Sequence, residues 1–211
     1  LNLKNICSFS KSLANFHNIL EMHPANLDYK KNTIERMKEL KKIETLIKSD
    51  KLKVKKFGRF IKTQLKDFSI QEIINEKNYQ ILHGDLNSGN ILINNNKIYF
   101  IDFEDSMHSS LNPIFELMYV IERFILVNKN LSYERKLSFS QTFYETYKNS
   151  RTNLNFKMCM YRVTKLNILK SLLILSLYKS RKIKTHQSEW EKFIYLWKLS
   201  DKHEVLLKSI Y

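Results

Sequence analysis

The chain has 211 residues, of which 43% are hydrophobic and 12% aromatic, too apolar for an intrinsically disordered protein and of a size that folds as one domain or one large lobe. It carries 36 Lys and Arg against 21 Asp and Glu, a net charge of +15, and its three glycines, Gly58, Gly84 and Gly89, exclude a glycine-rich phosphate loop of the Walker or dinucleotide-binding kind. Two distant cysteines, Cys7 and Cys159, give neither a disulfide framework nor a metal-knuckle spacing, so a reduced, cytoplasmic setting is expected.

Phe9, Leu13, Phe16, Ile19 and Leu20 recur at helical spacing, and Ile34, Met37, Leu40, Ile43 and Ile47 do so after a candidate Asn32 cap. The segment Phe57 to Asn78 is also helical in pattern, with Gly58 at its start. The period then changes. Residues 80 to 82, 90 to 94 and 98 to 103 read as short strands, and Asn94-Asn95-Asn96-Lys97 as the turn of a hairpin. Beyond Pro113, helices are expected over 114 to 128, 132 to 149, 155 to 180 and 188 to 208, the last opened by a capping box, Ser188 to Glu191. Trp190, Trp197 and Tyr195 are expected to anchor that helix, while His108, His186 and His203 read as surface or loop residues.

The most apolar run, Leu166 to Tyr178, is 13 residues long and broken by Lys170, against about 20 for a spanning helix, so no membrane span is expected. The chain begins at Leu1 without a signal-peptide pattern and reads as cut rather than processed. The whole is an α+β fold, mainly helical, in which a short central β-hairpin presents a site.

Charge locates that site. Residues 1 to 80 hold 17 basic and 9 acidic groups, residues 81 to 127 hold 2 and 6, and residues 128 to 211 hold 17 and 6. The central acidic island contains His83-Gly84-Asp85-Leu86-Asn87-Ser88-Gly89-Asn90-Ile91-Leu92 and, one hairpin later, Ile101-Asp102-Phe103-Glu104-Asp105. Asp85 and Asn90 lie on one loop and Asp102 at the end of the following strand, where a loop and a hairpin can converge. Phosphoryl transfer needs a carboxylate near the acceptor hydroxyl and oxygen ligands for Mg²⁺, and Asp, Asn and Asp supply both.

These two segments resemble the aminoglycoside phosphotransferase and choline kinase family, which has a protein-kinase-like fold; the H-x-D-x-x-x-x-N loop is intact. The resemblance implies that Asp85 is the catalytic carboxylate, Asn90 a metal ligand and Asp102 the principal Mg²⁺ ligand, with ATP or GTP as donor and a small-molecule hydroxyl as acceptor. His83 is similar to the histidine that opens the kinase loop and, with Gly84, is assigned to structural support. Asn87 and Ser88 lie where family members contact acceptor or phosphoryl group, and capping of the loop is the equal alternative. Glu104 reads as structural, and Asp105 is open between a substrate contact and a turn. Asn112-Pro113-x-x-Glu116-Leu117 is similar to the family's D-P-x-x-D-L, and Leu13-Ala14-x-x-His17-x-Ile19 to its L-A-x-L-H-x-I helix.

On this resemblance residues 1 to 211 form a single C-terminal lobe, and the nucleotide-covering lobe would precede residue 1 or come from another chain. The chain alone is then expected to transfer phosphate poorly. Two other readings stand beside the enzyme: a non-catalytic, pseudokinase-like binding module, and a nucleic-acid binder using Lys51, Lys53, Lys55, Lys56, Arg59 and Lys62. No recognition helix or stacking platform accompanies that basic run, which disfavours nucleic acid. The +11 net charge of residues 128 to 211 favours a neutral or anionic alcohol, such as a sugar or its derivative, and choline or ethanolamine, with Asp105 and aromatic residues as the cation site, is the alternative.

Overall fold

In the computed structural model, which describes residues 3–54, 57–76, 78–94, 97–151 and 157–210, helices enclose two very small sheets. Helix α1 (Leu3–Glu21) buries Ile6, Phe9, Leu13, Ala14 and His17, the three- and four-residue spacing of a single helical face. Pro24 follows, and helix α2 (Asn26–Lys48) begins at once, so Asn32 lies inside the helix and is not its cap. Asn26 itself forms the joint. Its side-chain nitrogen donates to the carbonyls of Leu20, Glu21 and His23 at 2.9 to 3.0 Å, closing the end of α1.

The expected helix over 57 to 78 is two helices, α3 (Gly58–Gln64) and α4 (Ile70–Asn75). The break is a capping box that the sequence reading passed over: Ser69 Oγ accepts from the Gln71 N–H at 3.2 Å, and Glu72 Oε1 accepts from the Ser69 N–H at 3.0 Å. Buried Glu44 on α2 locks this corner, accepting from Lys48, Lys41, Ser69 and the Ile70 N–H. Burial alone would raise its pKa, but those donors together hold it below the usual carboxylate range.

Strand β1 (Gln80–Ile81) pairs antiparallel not with the hairpin but with β4 (Ser110–Leu111), which the sequence reading did not contain. The hairpin is a separate sheet: β2 (Ile91–Asn94) against β3 (Lys97–Phe100), with Ile91 opposite Phe100 and Asn94 opposite Lys97. The turn residues 95 and 96 lie outside the described residues. Residues 82 to 109 are thus an excursion whose two ends are tied by β1 and β4 and by the Leu82 N–H to Ser109 carbonyl bond of 3.0 Å. The last expected strand stops at Phe100, three residues short, because Asp102 turns into a left-handed conformation (φ 64°).

Helix α5 (Ile114–Val120) is buried along nearly its whole length and widens into a π-helical turn, Ile121–Leu126. Helix α6 (Tyr133–Asn149) packs against α1 and is capped by Ser132 Oγ on the Arg135 N–H. Helix α7 (Met160–Ser180) is apolar nearly all round and sits at the centre, against α2, α4 and α5. Residues 155 and 156, at the expected start of this helix, lie outside the described residues.

The expected final helix is likewise divided, into α8 (Gln187–Lys202) and α9 (Glu204–Lys208), both in contact with α7. Helix α8 starts before Ser188, with His186 at the cap position, so Ser188 and Glu191 do not form the expected box. Trp190 and Trp197 are buried and meet Phe57, Phe60 and Phe68, whereas Tyr195, expected to anchor the helix with them, is exposed. His203 is a correction too: it is buried at the α8–α9 break, with its ring Nδ1 2.9 Å from the Leu199 carbonyl. Among the described residues, no helix is long and apolar enough to cross a membrane.

The π turn holds one costly group. Glu122 is buried, its Oε1 has no hydrogen-bond partner, and burial, only partly opposed by Arg123 and Lys165, pushes its pKa up to about 7. A carboxyl raised in the folded state binds its proton more tightly there than in the unfolded chain, so stability falls as pH rises from its ordinary value of 4.5 to about 7. Glu122→Gln is expected to remove that slope and raise the unfolding midpoint at pH above 7; urea denaturation at several pH values measures it, and a parallel pH profile for the two proteins would contradict it.

Candidate active site

Glu116, near the start of α5, fixes where the excursion begins. Its Oε1 accepts the Gly84 N–H at 2.7 Å, and its Oε2 accepts the His83 N–H at 3.1 Å and lies 2.8 Å from His17 Nε2. His17 is fully buried, and its Nδ1 is 2.5 Å from the Tyr147 hydroxyl. Burial would raise the Glu116 carboxyl, but His17 and the two backbone donors hold it below the usual range. The two weakest sequence matches, the His17 helix and the Asn112 to Leu117 segment, therefore meet in one buried cluster that grips the loop backbone.

Gly84 must be glycine. It has φ +94°, and a Cβ there would stand 2.5 Å from Ser109 Oγ and 2.8 Å from the Asp105 carbonyl oxygen. His83 is buried and bridges the two halves of the excursion through Nε2 to the Ile101 carbonyl at 2.8 Å, while Ser106 Oγ donates to the His83 carbonyl at 2.9 Å. Both residues therefore hold the loop in shape.

Asp85 follows directly, partly exposed. Tyr119 donates its hydroxyl to Asp85 Oδ1 at 2.7 Å, and Oδ2 accepts from Asn87 Nδ2 at 2.7 Å and, at a longer 3.5 Å, from Asn90 Nδ2, so Oδ1 keeps a free lone pair. Burial is the main reason that the Tyr119 phenol is pushed well above its usual value, with the Asp85 bond adding to it, so the phenol stays a donor. Asn87 also caps the short turn after it, Oδ1 accepting from the Gly89 N–H at 2.7 Å. Both its side-chain groups serve the loop, whereas Ser88 is exposed.

Asn90 Nδ2 donates to the Asp85 carbonyl at 2.8 Å, which commits its nitrogen and leaves its amide oxygen for a ligand. The Asn90 carbonyl accepts from the Ile101 N–H at 3.0 Å, extending the hairpin ladder by one step and bringing Asp102 beside Asn90. Asp102 is exposed and makes no hydrogen bond among the described residues. Among those residues no three His, Cys, Asp or Glu side chains gather as a metal cage. One carboxylate and one amide oxygen fit Mg²⁺, which takes few protein oxygens and completes its shell with water and phosphate. Glu104 and Asp105 are exposed on the turn that follows.

Beside Asp85 opens a cleft of about 290 Å³, bounded by Gly84, Asp85 and Asp105 on the loop side, Tyr119 and Arg123 below, and Lys170 of α7 opposite. The sequence reading missed Tyr119, Arg123 and Lys170. Tyr119 lies three residues after Glu116 on the same helix face, so it could have been found once Glu116 was placed.

The model of a family described as the phosphotransferase enzyme family matches residues 8–130, from α1 through the excursion to just beyond the π turn. No curated protein and no solved structure matches the chain.

Proposed function

Since the chain belongs to the phosphotransferase enzyme family, we propose that its loop and hairpin transfer the γ-phosphoryl group of a nucleoside triphosphate to a hydroxyl of a small molecule, with Mg²⁺. The observation that carries this reading is the arrangement around Asp85: a carboxylate that accepts from Tyr119 and Asn87 and lines a cleft, with the Asn90 side chain bonded to its backbone carbonyl.

Asp85 orients the acceptor hydroxyl and takes its proton as the new oxygen–phosphorus bond forms and the bond from phosphorus to the bridging oxygen breaks, releasing the nucleoside diphosphate. Tyr119 and Asn87 fix the carboxylate's direction, so little reorganisation accompanies the proton transfer. Asn90 and Asp102 would hold Mg²⁺, which supplies neutralisation of the phosphate charge. ATP or GTP, and an alcohol, belong to this proposal. So does the assignment of these residues to the C-terminal lobe, the lobe that covers the nucleotide being drawn from elsewhere.

The test is phosphorus NMR of the protein given nucleotide, Mg²⁺ and a panel of small alcohols. Formation of a phosphate ester together with nucleoside diphosphate is expected, and Mg²⁺ chelation should stop it. Nucleotide that stays intact with every alcohol would sink the enzyme and leave the non-catalytic reading.

A further inference from the structure

The cleft beside Asp85 differs in charge from the loop it adjoins. Asp85 lines it, whereas Asn90 and Asp102 do not, so it opens on the carboxylate proposed to meet the acceptor and not on the proposed metal pair. Its other walls carry Arg36, Arg123, Lys170 and Lys192. Arg36 lies 3.7 Å from Glu39 and Lys192 lies 2.5 Å from Glu189, so these two charges are largely answered at the rim.

The other two form no ion pair among the described residues, although Arg123 lies near enough to Glu122 to act on its carboxyl. Lys170, half-buried, makes no hydrogen bond or ion pair among the described residues; burial pulls its pKa below the usual lysine range, with Glu116 and Asp105 opposing from a distance. The Arg123 guanidinium lies 5.0 Å from the Tyr119 ring centre and 5.5 Å from that of Phe193, and its buried Nε has no hydrogen-bond partner. A cation so placed is costly unless a ligand answers it.

The aromatic faces point the same way. Tyr119, Tyr178 and Phe193 line the cleft, and each ring already has a cation over it, Arg123 over Tyr119, Arg36 over Tyr178, and Arg123 and Lys192 over Phe193, so an ammonium group brought to these rings would meet like charge.

Resting on the phosphoryl-transfer reading, we propose that the acceptor is an alcohol bearing an anionic group, a phosphate ester or a carboxylate, which Lys170 and Arg123 bind while its hydroxyl meets Asp85. The anion sits on α7 and the π turn, and the hydroxyl on the loop.

Isothermal titration with four sugars of one scaffold tests this: glucose phosphate, glucuronate, glucose and glucosamine. An anionic sugar should bind about tenfold or more tighter than glucose, and glucosamine weakest of all. The tighter of the two anions identifies phosphate or carboxylate as the group read. Lys170→Met should erase most of that preference and Lys170→Arg should keep it. Equal binding of all four, absence of binding by both anions, a preference for glucosamine, or a preference untouched by Lys170→Met overturns the proposal; the wild-type ranking alone decides if a variant does not fold.

Mg²⁺-dependent nucleotide binding, measured on the same samples, separates the two readings. If it is present and the anion preference is absent, only the acceptor assignment falls. If instead the nucleotide stays intact with every alcohol in the phosphorus NMR experiment, the phosphoryl-transfer reading falls and the acceptor role with it.

Discussion

Asp85→Asn is expected to slow phosphoryl transfer by about two to four orders of magnitude, the usual contribution of a positioned general base, while Mg²⁺-nucleotide binding is unchanged. The substitution keeps the shape of the side chain. Its oxygen can still accept from Tyr119 or Asn87, and the Tyr119 hydroxyl can turn to accept where it formerly donated, so the loop has no reason to move. What is lost is the lone pair that takes the hydroxyl proton. Single-turnover rates at saturating nucleotide isolate this step. A rate within a few-fold of the wild type would show that Asp85 only shapes the loop.

The second large effect is on stability. Glu116→Ala is expected to cost about 3–5 kcal/mol, since it removes one member of a buried charged cluster and strands the rest. His17, the His83 N–H and the Gly84 N–H would all lose their acceptor at a buried site. Domains of this kind are stable by about 5–15 kcal/mol, so the loss is a large fraction of the whole. Urea denaturation followed by circular dichroism measures it, and a change below about 1 kcal/mol, ordinary for a surface substitution, would contradict the clamp.

The pH dependence has a definite sign. Glu116 is held below its ordinary value of 4.5, so its contribution is present at neutral pH and is lost as pH falls through the lowered value. The wild type should therefore destabilise in acid more steeply than Glu116→Gln, which has no carboxylate to protonate.

Asp85, Asn90 and Asp102 could be grouped from the sequence because their spacing along one loop and one hairpin is a local property, and the ladder bonds the Ile101 N–H, next to Asp102, to the Asn90 carbonyl. The long amphipathic helices were legible for the same reason. What was not legible depends on partners distant in sequence. Strand β4 is two residues long and exists only because β1 lies across from it. Ser69 and Glu72 form a cap where a continuous helix was read, because buried Glu44 on α2 holds Ser69 in place.

Lys170 shows the limit most clearly. In the sequence it is an interruption of an apolar run and argues only against a membrane span. In the fold that run is the central helix, and Lys170 on it lines the same cleft as Asp85 and Asp105. Tyr119 was hidden by the same cause: an aromatic residue on a buried helix reads as core until the loop that it touches is placed.

The most direct test is the thermal shift of this chain with Mg²⁺ and ATP or GTP, wild type beside Asp102→Ala. A ligand that binds only the folded state stabilises it by RT ln(1 + [L]/Kd), about 2.7 kcal/mol at a hundredfold excess over Kd. The account predicts a shift in the wild type that requires Mg²⁺ and nucleotide together and is lost in Asp102→Ala, whose exposed side chain contributes no hydrogen bond to the fold. A shift of equal size in both proteins, or one indifferent to Mg²⁺, would contradict it.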